Sequence, residues 1–295
     1  MLVIVIVSYK NNRRTIQYVR EELSKIVLPH RIVIVNNGST NEESRELSNE
    51  LGAELLSVQD VPSVANRIFV INNPQNSGFA IGNNIGARMA MDYLDADYIL
   101  FSNNDLRFLD TDVVERLQQT LKEHPEIGII GPRIVGLDGK AQSPEPYQTF
   151  ANRYIWMYLL TPFITLKQKK RIFRLDYSEQ AQEGIHYKLM GAFFMVRAED
   201  FASCGMMDEH TFLYAEEPIL TERMAKIGKK PYYYPQVSIC HEHGQTIGKS
   251  FSTRKADALL FDSEVYYYQT YKNVGNLQVL IARIIRNILY ILHRR

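Results

Sequence analysis

Three short stretches carry side chains whose types and spacing could do chemistry. The first is "ILFSNNDLRF", residues 99–108, where an apolar run stops abruptly at Ser102, Asn103, Asn104 and Asp105. A carboxylate beside two amides offers hard oxygen ligands to a divalent cation that keeps waters and substrate phosphates in its other positions. The same residues also suit an ordinary Asx-type strand terminus. The second stretch is "FLYAEEPILTER", with Glu216 and Glu217 side by side ahead of a helical pattern. Acids in a first helical turn answer the helix dipole, and a carboxylate so placed can also take a proton from a hydroxyl. The third is "CHEHG", where His241 and His243 close a strand pattern and one of them is expected to reach a metal.

These residues need a scaffold, and the pattern of residues 1–110 supplies one. "LVIVIVSY", "RIVIVNN", "RIFVINN" and "YILFSNN" are apolar on both faces, and helical stretches over Asn12–Ile26, Glu42–Leu51 and Gly82–Leu94 lie between them. Such alternation predicts an α/β fold with a mostly parallel sheet covered by helices. Each strand ends in a polar cluster: Ser8-Tyr9-Lys10, Asn36-Asn37-Gly38-Ser39, Asn72-Asn73 and Ser102 to Asp105. Ligands of open parallel sheets bind outside the carboxyl ends of the strands, so all four clusters are expected to line one crevice. A helix over Asp112–His124 and the strand "IGIIGPRIV" follow, and then the texture changes. Residues 144–180 combine prolines, aromatics and five basic residues from Lys167 to Arg174, which reads as a lid or insertion. Strand character returns in "YKLMGAFFMVRAEDF" and "PYYYPQVSICHEHG", on either side of the helix "EEPILTERMAKIGKK".

Composition narrows the classes. The 295 residues are 45% hydrophobic, enough for a sizeable core. Lysine plus arginine number 34 against 33 acids, so no global field collects nucleic acid. Cys204 and Cys240 fit neither a zinc spacing nor a disulfide framework, and a reducing compartment is expected. The apolar opening lacks a basic leader and a cleavage site, and no uncharged apolar run approaches the ~18 residues of a membrane span.

Two further stretches bear on a nucleotide. "VNNGSTNEES" is a capped helix start preceded by two amides suited to a base edge or ribose. "NSGFAIGNNIGA" sets Gly78, Gly82 and Gly86 around another helix start without forming a dinucleotide fingerprint or a P-loop. Its glycines fit either close approach of a flat ligand or tight packing on the sheet.

In their order these blocks resemble the family 2 glycosyltransferases. "IVSYKN", "IVNNGSTNE", "NSGFAIGNNIGA", "ILFSNND", "MGAFFMVRAEDF" with "GMMDEHTFLYAEE", and "ICHEHGQT" carry the likeness over roughly residues 1–250, which is similar to bacterial polysaccharide enzymes including rhamnosyltransferases. The resemblance implies a GT-A fold, a dTDP-, UDP- or GDP-sugar donor, a Mg²⁺ or Mn²⁺ ion, and inversion at the anomeric carbon. It implies Ser8, Tyr9 and Asn37 beside the nucleoside, Gly78 and Asn84 near the base, and Gly191 and Ala192 where donor sugar or acceptor approaches. Asn103-Asn104-Asp105 occupies the family's DxD position with its first acid replaced by Asn103; Asp105 is then the metal contact and His241 a second ligand. Glu217 matches the base, Glu216 its neighbour in acceptor or network contacts, and Asp208 an acid tied to acceptor binding or loop structure.

The organisation expected is a catalytic domain over 1–250, its nucleotide half ending at 110, followed by a helical segment over 251–295. In the last helix Asn276, Arg283, Asn287, Tyr290 and Arg294 share one face, with Leu277, Leu280, Ile281, Ile284, Ile285, Ile288, Leu289 and Leu292 on the other. That pattern predicts contact with an anionic membrane surface, or else with the protein itself or a second copy in a homodimer. The whole reading is a cytoplasmic enzyme on the inner face of the plasma membrane, adding sugar to a glycan or lipid-linked acceptor. A sugar nucleotidyltransferase and a non-catalytic nucleotide-sugar binding protein are the alternatives.

Overall fold

The computed structural model of the protein describes residues 1–242 and 253–292. Ten strands form one mixed sheet: β1 (Leu2–Ser8), β2 (His30–Asn37), β3 (Glu54–Ser57), β4 (Ile68–Asn73), β5 (Tyr98–Ser102), β6 (Leu106–Phe108), β7 (Ile127–Gly136), β8 (Gly184–Ile185), β9 (Phe193–Arg197) and β10 (Lys230–His241). The order is β3-β4-β2-β1-β5-β9-β7-β10-β6, with β8 added beside β10. In β1 the alternate residues Leu2, Ile4 and Ile6 enter one core cluster while Val3 and Val5 enter another. A strand buried on both faces must be covered by helices on both sides, which is why its sequence is uniformly apolar.

The crossovers are α1 (Asn12–Glu21), α2 (Asn41–Leu51), α3 (Phe79–Tyr93) and α4 (Val113–Glu123). Thr40 and Glu43 form a reciprocal capping box at the start of α2, and Gly52 ends it in the left-handed region. A Cβ on Gly86 would stand 2.5 Å from Val5 Cγ1. The small residue of α3 therefore serves helix-on-sheet packing, not approach to a flat ligand.

From β1 the parallel chain steps outward through β2, β4 and β3 on one side and through β5 on the other. The reversal at β1 opens a crevice at the strands' carboxyl ends. Beyond β5 the sheet turns mixed: β9 runs antiparallel to both β5 and β7, and β10 is parallel to β7. The short β6 lies antiparallel to β10 with Leu106 opposite His241. That register, with the Glu242 N–H donating to the Asp105 carbonyl at 2.9 Å, brings Asp105 beside His241 from 136 residues away.

The expected lid is helical. Between residues 150 and 180 lie a π-helical turn at Asn152–Trp156, short helices at Met157–Leu160, Leu166–Ile172 and Tyr177–Gln180, and a 3₁₀ turn at Thr161–Phe163. After it come α5 (Glu216–Lys226), α6 (Thr253–Lys272) and α7 (Asn276–Leu292). A third core joins them, with Phe150 and Tyr154 of the lid, Ile219 of α5, Phe261 and Tyr268 of α6, and Val279 and Ala282 of α7. Among the described residues no helix is long and apolar enough to cross a membrane.

Candidate active site

At the strands' carboxyl ends lies a crevice of about 420 Å³. Tyr9, Asn37 and Gly78 line one part of it, Asn103, Asn104 and Asp105 another, and Gly191, Ala192, Glu216, Glu217 and His241 complete the expected set. Of the four strand-end clusters, that after β4 stands behind the others. Asn73 donates to the Asn37 side-chain oxygen at 2.9 Å, and Asn72 accepts from Ser44 at 2.8 Å. Asn37 itself donates to Asn76 and to the Gly78 carbonyl, each at 3.1 Å, so Asn76 belongs to the same wall.

Three expected residues are not in the crevice. Ser8 is fully buried, with its hydroxyl 2.8 Å from that of Thr15. Asn84 spans the backbone of Met207, accepting from its N–H at 3.1 Å and donating to its carbonyl at 3.0 Å, which pins the following loop to α3. Asp208 is buried behind that loop, and both its oxygens are engaged. Oδ2 accepts from Tyr271 at 2.6 Å, Tyr266 at 3.0 Å and Arg223 at 3.0 Å; Oδ1 accepts from the His210 backbone at 3.1 Å. Its place is loop structure, clamping α5 to α6. Burial opposes its charge, yet the hydrogen bonds from Tyr271, His210 and Tyr266 outweigh it and hold the carboxyl well below the usual carboxylate range. Asp208→Ala should therefore cost about 2–5 kcal/mol of unfolding free energy near neutral pH, because it strands buried donors and a guanidinium. A depressed folded value means the parent's own contribution is complete above the ordinary carboxylate pKa of ~4 and fades as pH falls below it. Urea melts of parent and variant from neutral to acid pH, with their gap narrowing on acidification, check both statements.

The metal-type pair is well formed. His241 Nδ1 lies 3.0 Å from Gln142 Oε1, an acceptor, so this nitrogen carries the proton. Nε2 faces Asp105 Oδ1 at 3.3 Å, and that oxygen is buried with no hydrogen-bond donor among the described residues. A buried carboxylate oxygen with no such donor, set beside an imidazole, suits a cation. The donor set, one carboxylate and one imidazole with amide oxygens beside it, fits a divalent ion that takes its remaining ligands from a substrate. No cluster of three or more His, Cys, Asp or Glu that could hold a metal occurs among the described residues. His243 and the rest of "HGQT" lie outside them.

The carboxylate pair is held by an unusual turn. Tyr214 and Ala215 are both left-handed, at φ +74° and +67°, immediately before α5. For non-glycine residues this is stored strain, about 1–2 kcal/mol at each, and it sets the first turn of α5 against Gly191. The Gly191 N–H donates to Glu217 Oε1 at 3.1 Å, and a Cβ on Gly191 would sit 2.9 Å from that oxygen. Gly191 is thus small because a carboxylate packs on it. The next residue, Ala192, accepts from the Asn103 N–H at 2.8 Å, so one dipeptide joins Glu217 to the Asp105 loop. Glu216 is buried, and its Oε1 has no partner among the described residues; burial first, then the charge of Glu217, pushes its carboxyl up to about 8.

Sequence reasoning missed the far lobe of the crevice. Lys188 pairs with Glu145 at 2.8 Å, and Arg153 pairs with Glu264; all four line the cavity. They come from the lid, the segment before β9, and α6, and no local spacing announces such a meeting. Alternating charges of this kind suit the hydroxyls of a polar acceptor, which both donate and accept.

Comparison with known proteins gives the family and the fold. The family described as "Glycosyl transferase family 2" matches residues 4–197. An N-acetylglucosaminyl-diphospho-decaprenol L-rhamnosyltransferase from Mycobacterium tuberculosis is 24% identical over 227 residues, 75% of this chain and 69% of its own length. The low-salt glycan biosynthesis hexosyltransferase Agl10 of Haloferax volcanii is 25% identical over 218 residues, 73% of this chain and 59% of its own. Among solved structures, the mannosyltransferase PcManGT of Pyrobaculum calidifontis, in complex with GDP-Man and Mn²⁺, matches with a TM-score of 0.53 at 11% identity, covering 96% of this chain and 73% of that one. GalNAc-T7 with UDP, GalNAc and Mn²⁺ matches at 0.54 and 14% identity, covering 97% and 54%. The fold shared with these structures is the expected GT-A fold.

Proposed function

The chain belongs to glycosyl transferase family 2, and from that premise we propose that it moves a sugar, with inversion, from a nucleotide diphosphate to a lipid-linked glycan at a membrane surface. One observation carries the reading: the Asp105–His241 pair and the Glu217 carboxylate share a crevice and are joined through Gly191–Ala192. The two ends of a displacement at an acetal carbon need such a pair of functions.

Tyr9, Asn37, Asn76 and Gly78 form the nucleoside side. Asp105 and His241 hold the end where the diphosphate lies, with Asn103 and Asn104 as neutral neighbours. A Mg²⁺ or Mn²⁺ ion bound there would supply positive charge to the departing diphosphate. Glu217 takes the proton of the acceptor hydroxyl as its oxygen attacks the anomeric carbon. The carbon–oxygen bond to the diphosphate breaks on the opposite face, and its electron pair leaves on phosphate oxygen. Glu216, neutral below about pH 8, adds no second negative charge beside the base. The lipid-linked acceptor follows the name of the mycobacterial relative, and the rhamnose donor is the first to try.

Thermal melts with dTDP-, UDP- and GDP-sugars, with and without Mn²⁺, test the donor end. One nucleotide class is expected to raise the melting temperature, and more so with Mn²⁺, since a ligand of the native state stabilises it by mass action. No response to any of them would overturn the proposal.

A further inference from the structure

Helix α7 has two apolar faces, where its sequence promised one. Val279 and Ala282 are buried in the third core, and Arg286 lies over the Phe261 ring. Leu277, Leu280, Ile281, Ile284 and Ile288 follow a spacing of three, four, seven and eleven residues from the first, so they share a single stripe. All five are exposed, Leu277 by 70%, and on the helical wheel the stripe lies opposite Val279 and Ala282. Arg294, assigned to the polar face, lies outside the described residues.

The helix has a neighbour. Helix α7 packs on the π-helical turn of the lid, and the lid continues into exposed Trp156, Leu159, Phe163 and Leu166, with Phe163 84% exposed. Next to these lies a groove of about 510 Å³ whose walls include Lys167, Lys170, Arg171 and Arg174 against the single acid Asp176. Arg174 is stacked 4.4 Å over the ring of Tyr177, and Lys170 meets Asp176 at 2.9 Å. Residues 276–292 contain no acid.

We propose that the α7 stripe and the lid form one docking surface for an anionic bilayer, aliphatic side chains entering the acyl boundary and the basic groove taking lipid phosphates. Apolar side chains beside a cationic groove are the two signals that interfacial binding combines. The surface also lies beside the crevice. Arg153 of the π-helical turn, with Leu260 and Glu264 of α6, lines the cavity, so a lipid-borne acceptor would reach Glu217 from the side that faces the membrane. The inference rests on the lipid-linked acceptor proposed above, whereas its test does not use transfer.

The full chain is sedimented with vesicles of phosphatidylcholine alone and of phosphatidylcholine mixed with phosphatidylglycerol. Binding is expected to the mixed vesicles and to weaken as salt is added. Leu280→Ser with Ile284→Ser, and separately Lys167→Gln with Lys170→Gln and Arg171→Gln, are each expected to weaken it at least about tenfold. Folding of these variants is checked by urea melts. Unchanged vesicle binding in the folded variants overturns the inference. So does a parent dimer that dissociates in the Leu280/Ile284 variant while vesicle binding is absent. Vesicle binding that persists when no nucleotide sugar raises the melting temperature leaves this surface standing and removes the transfer reading instead.

Discussion

Glu217→Gln is expected to lower kcat for sugar transfer by about 10³-fold while donor affinity stays within about twofold of the parent, the range for loss of one general base being 10²–10⁴. The substitution conserves shape. A glutamine Oε1 can still accept the Gly191 N–H that now meets Glu217 at 3.1 Å, so the first turn of α5 keeps its seat. What disappears is the lone pair basic enough to take a hydroxyl proton. Glu216 cannot stand in for it: its carboxyl is buried, and that burial, the larger cause raising it, remains when the charge of Glu217 is gone. Single-turnover measurement with saturating donor, paired with calorimetry of donor binding, separates the step lost from the binding retained. Turnover within tenfold of the parent would remove Glu217 from the role.

Which parts of this were legible in sequence follows from how local the cause is. The strands β1, β2, β4 and β5 announce themselves because burial on both faces demands uninterrupted apolar runs, and the capping box of α2 is written in four adjacent residues. β3 escaped notice because four residues at a sheet edge, with Glu54 and Ser57 at its ends, carry too little pattern. Within the site, Glu217 and Asp105 were reached through motif order. Ser8, Asn84 and Asp208 match the same motifs, yet tertiary packing turned each toward the protein. Ser8 faces Thr15, Asn84 faces Met207, and Asp208 faces Tyr271, Tyr266, Arg223 and His210. A polar residue at a strand end or helix start can face the ligand or secure the loop that does, and only the register decides. The far lobe with Lys188, Glu145, Arg153 and Glu264 was beyond local reasoning altogether, since three separate segments build it.

The second large effect concerns the strand tip itself. Asp105→Ala should raise the donor Kd measured in Mn²⁺ by about 100-fold, or about 2.7 kcal/mol, to the value the parent shows in excess EDTA. Structurally the change is mild, because Asp105 holds β6 to β10 through its backbone carbonyl, which alanine keeps. Chemically it removes the only acid of the Asn103-Asn104-Asp105 cluster, and with it the buried oxygen that has no hydrogen-bond donor among the described residues. His241→Ala is the informative companion. With Nδ1 committed to Gln142, the imidazole presents Nε2 toward Asp105 at 3.3 Å, so its loss should weaken the Mn²⁺-dependent part of donor binding by at least about tenfold and leave the metal-free part unchanged. If both variants bind donor as the parent does, in Mn²⁺ and in EDTA alike, the cluster is an Asx-type strand end and the crevice works without a metal. If only His241→Ala is silent, Asp105 and the phosphates suffice, and the imidazole does not make good the acid that Asn103 replaces.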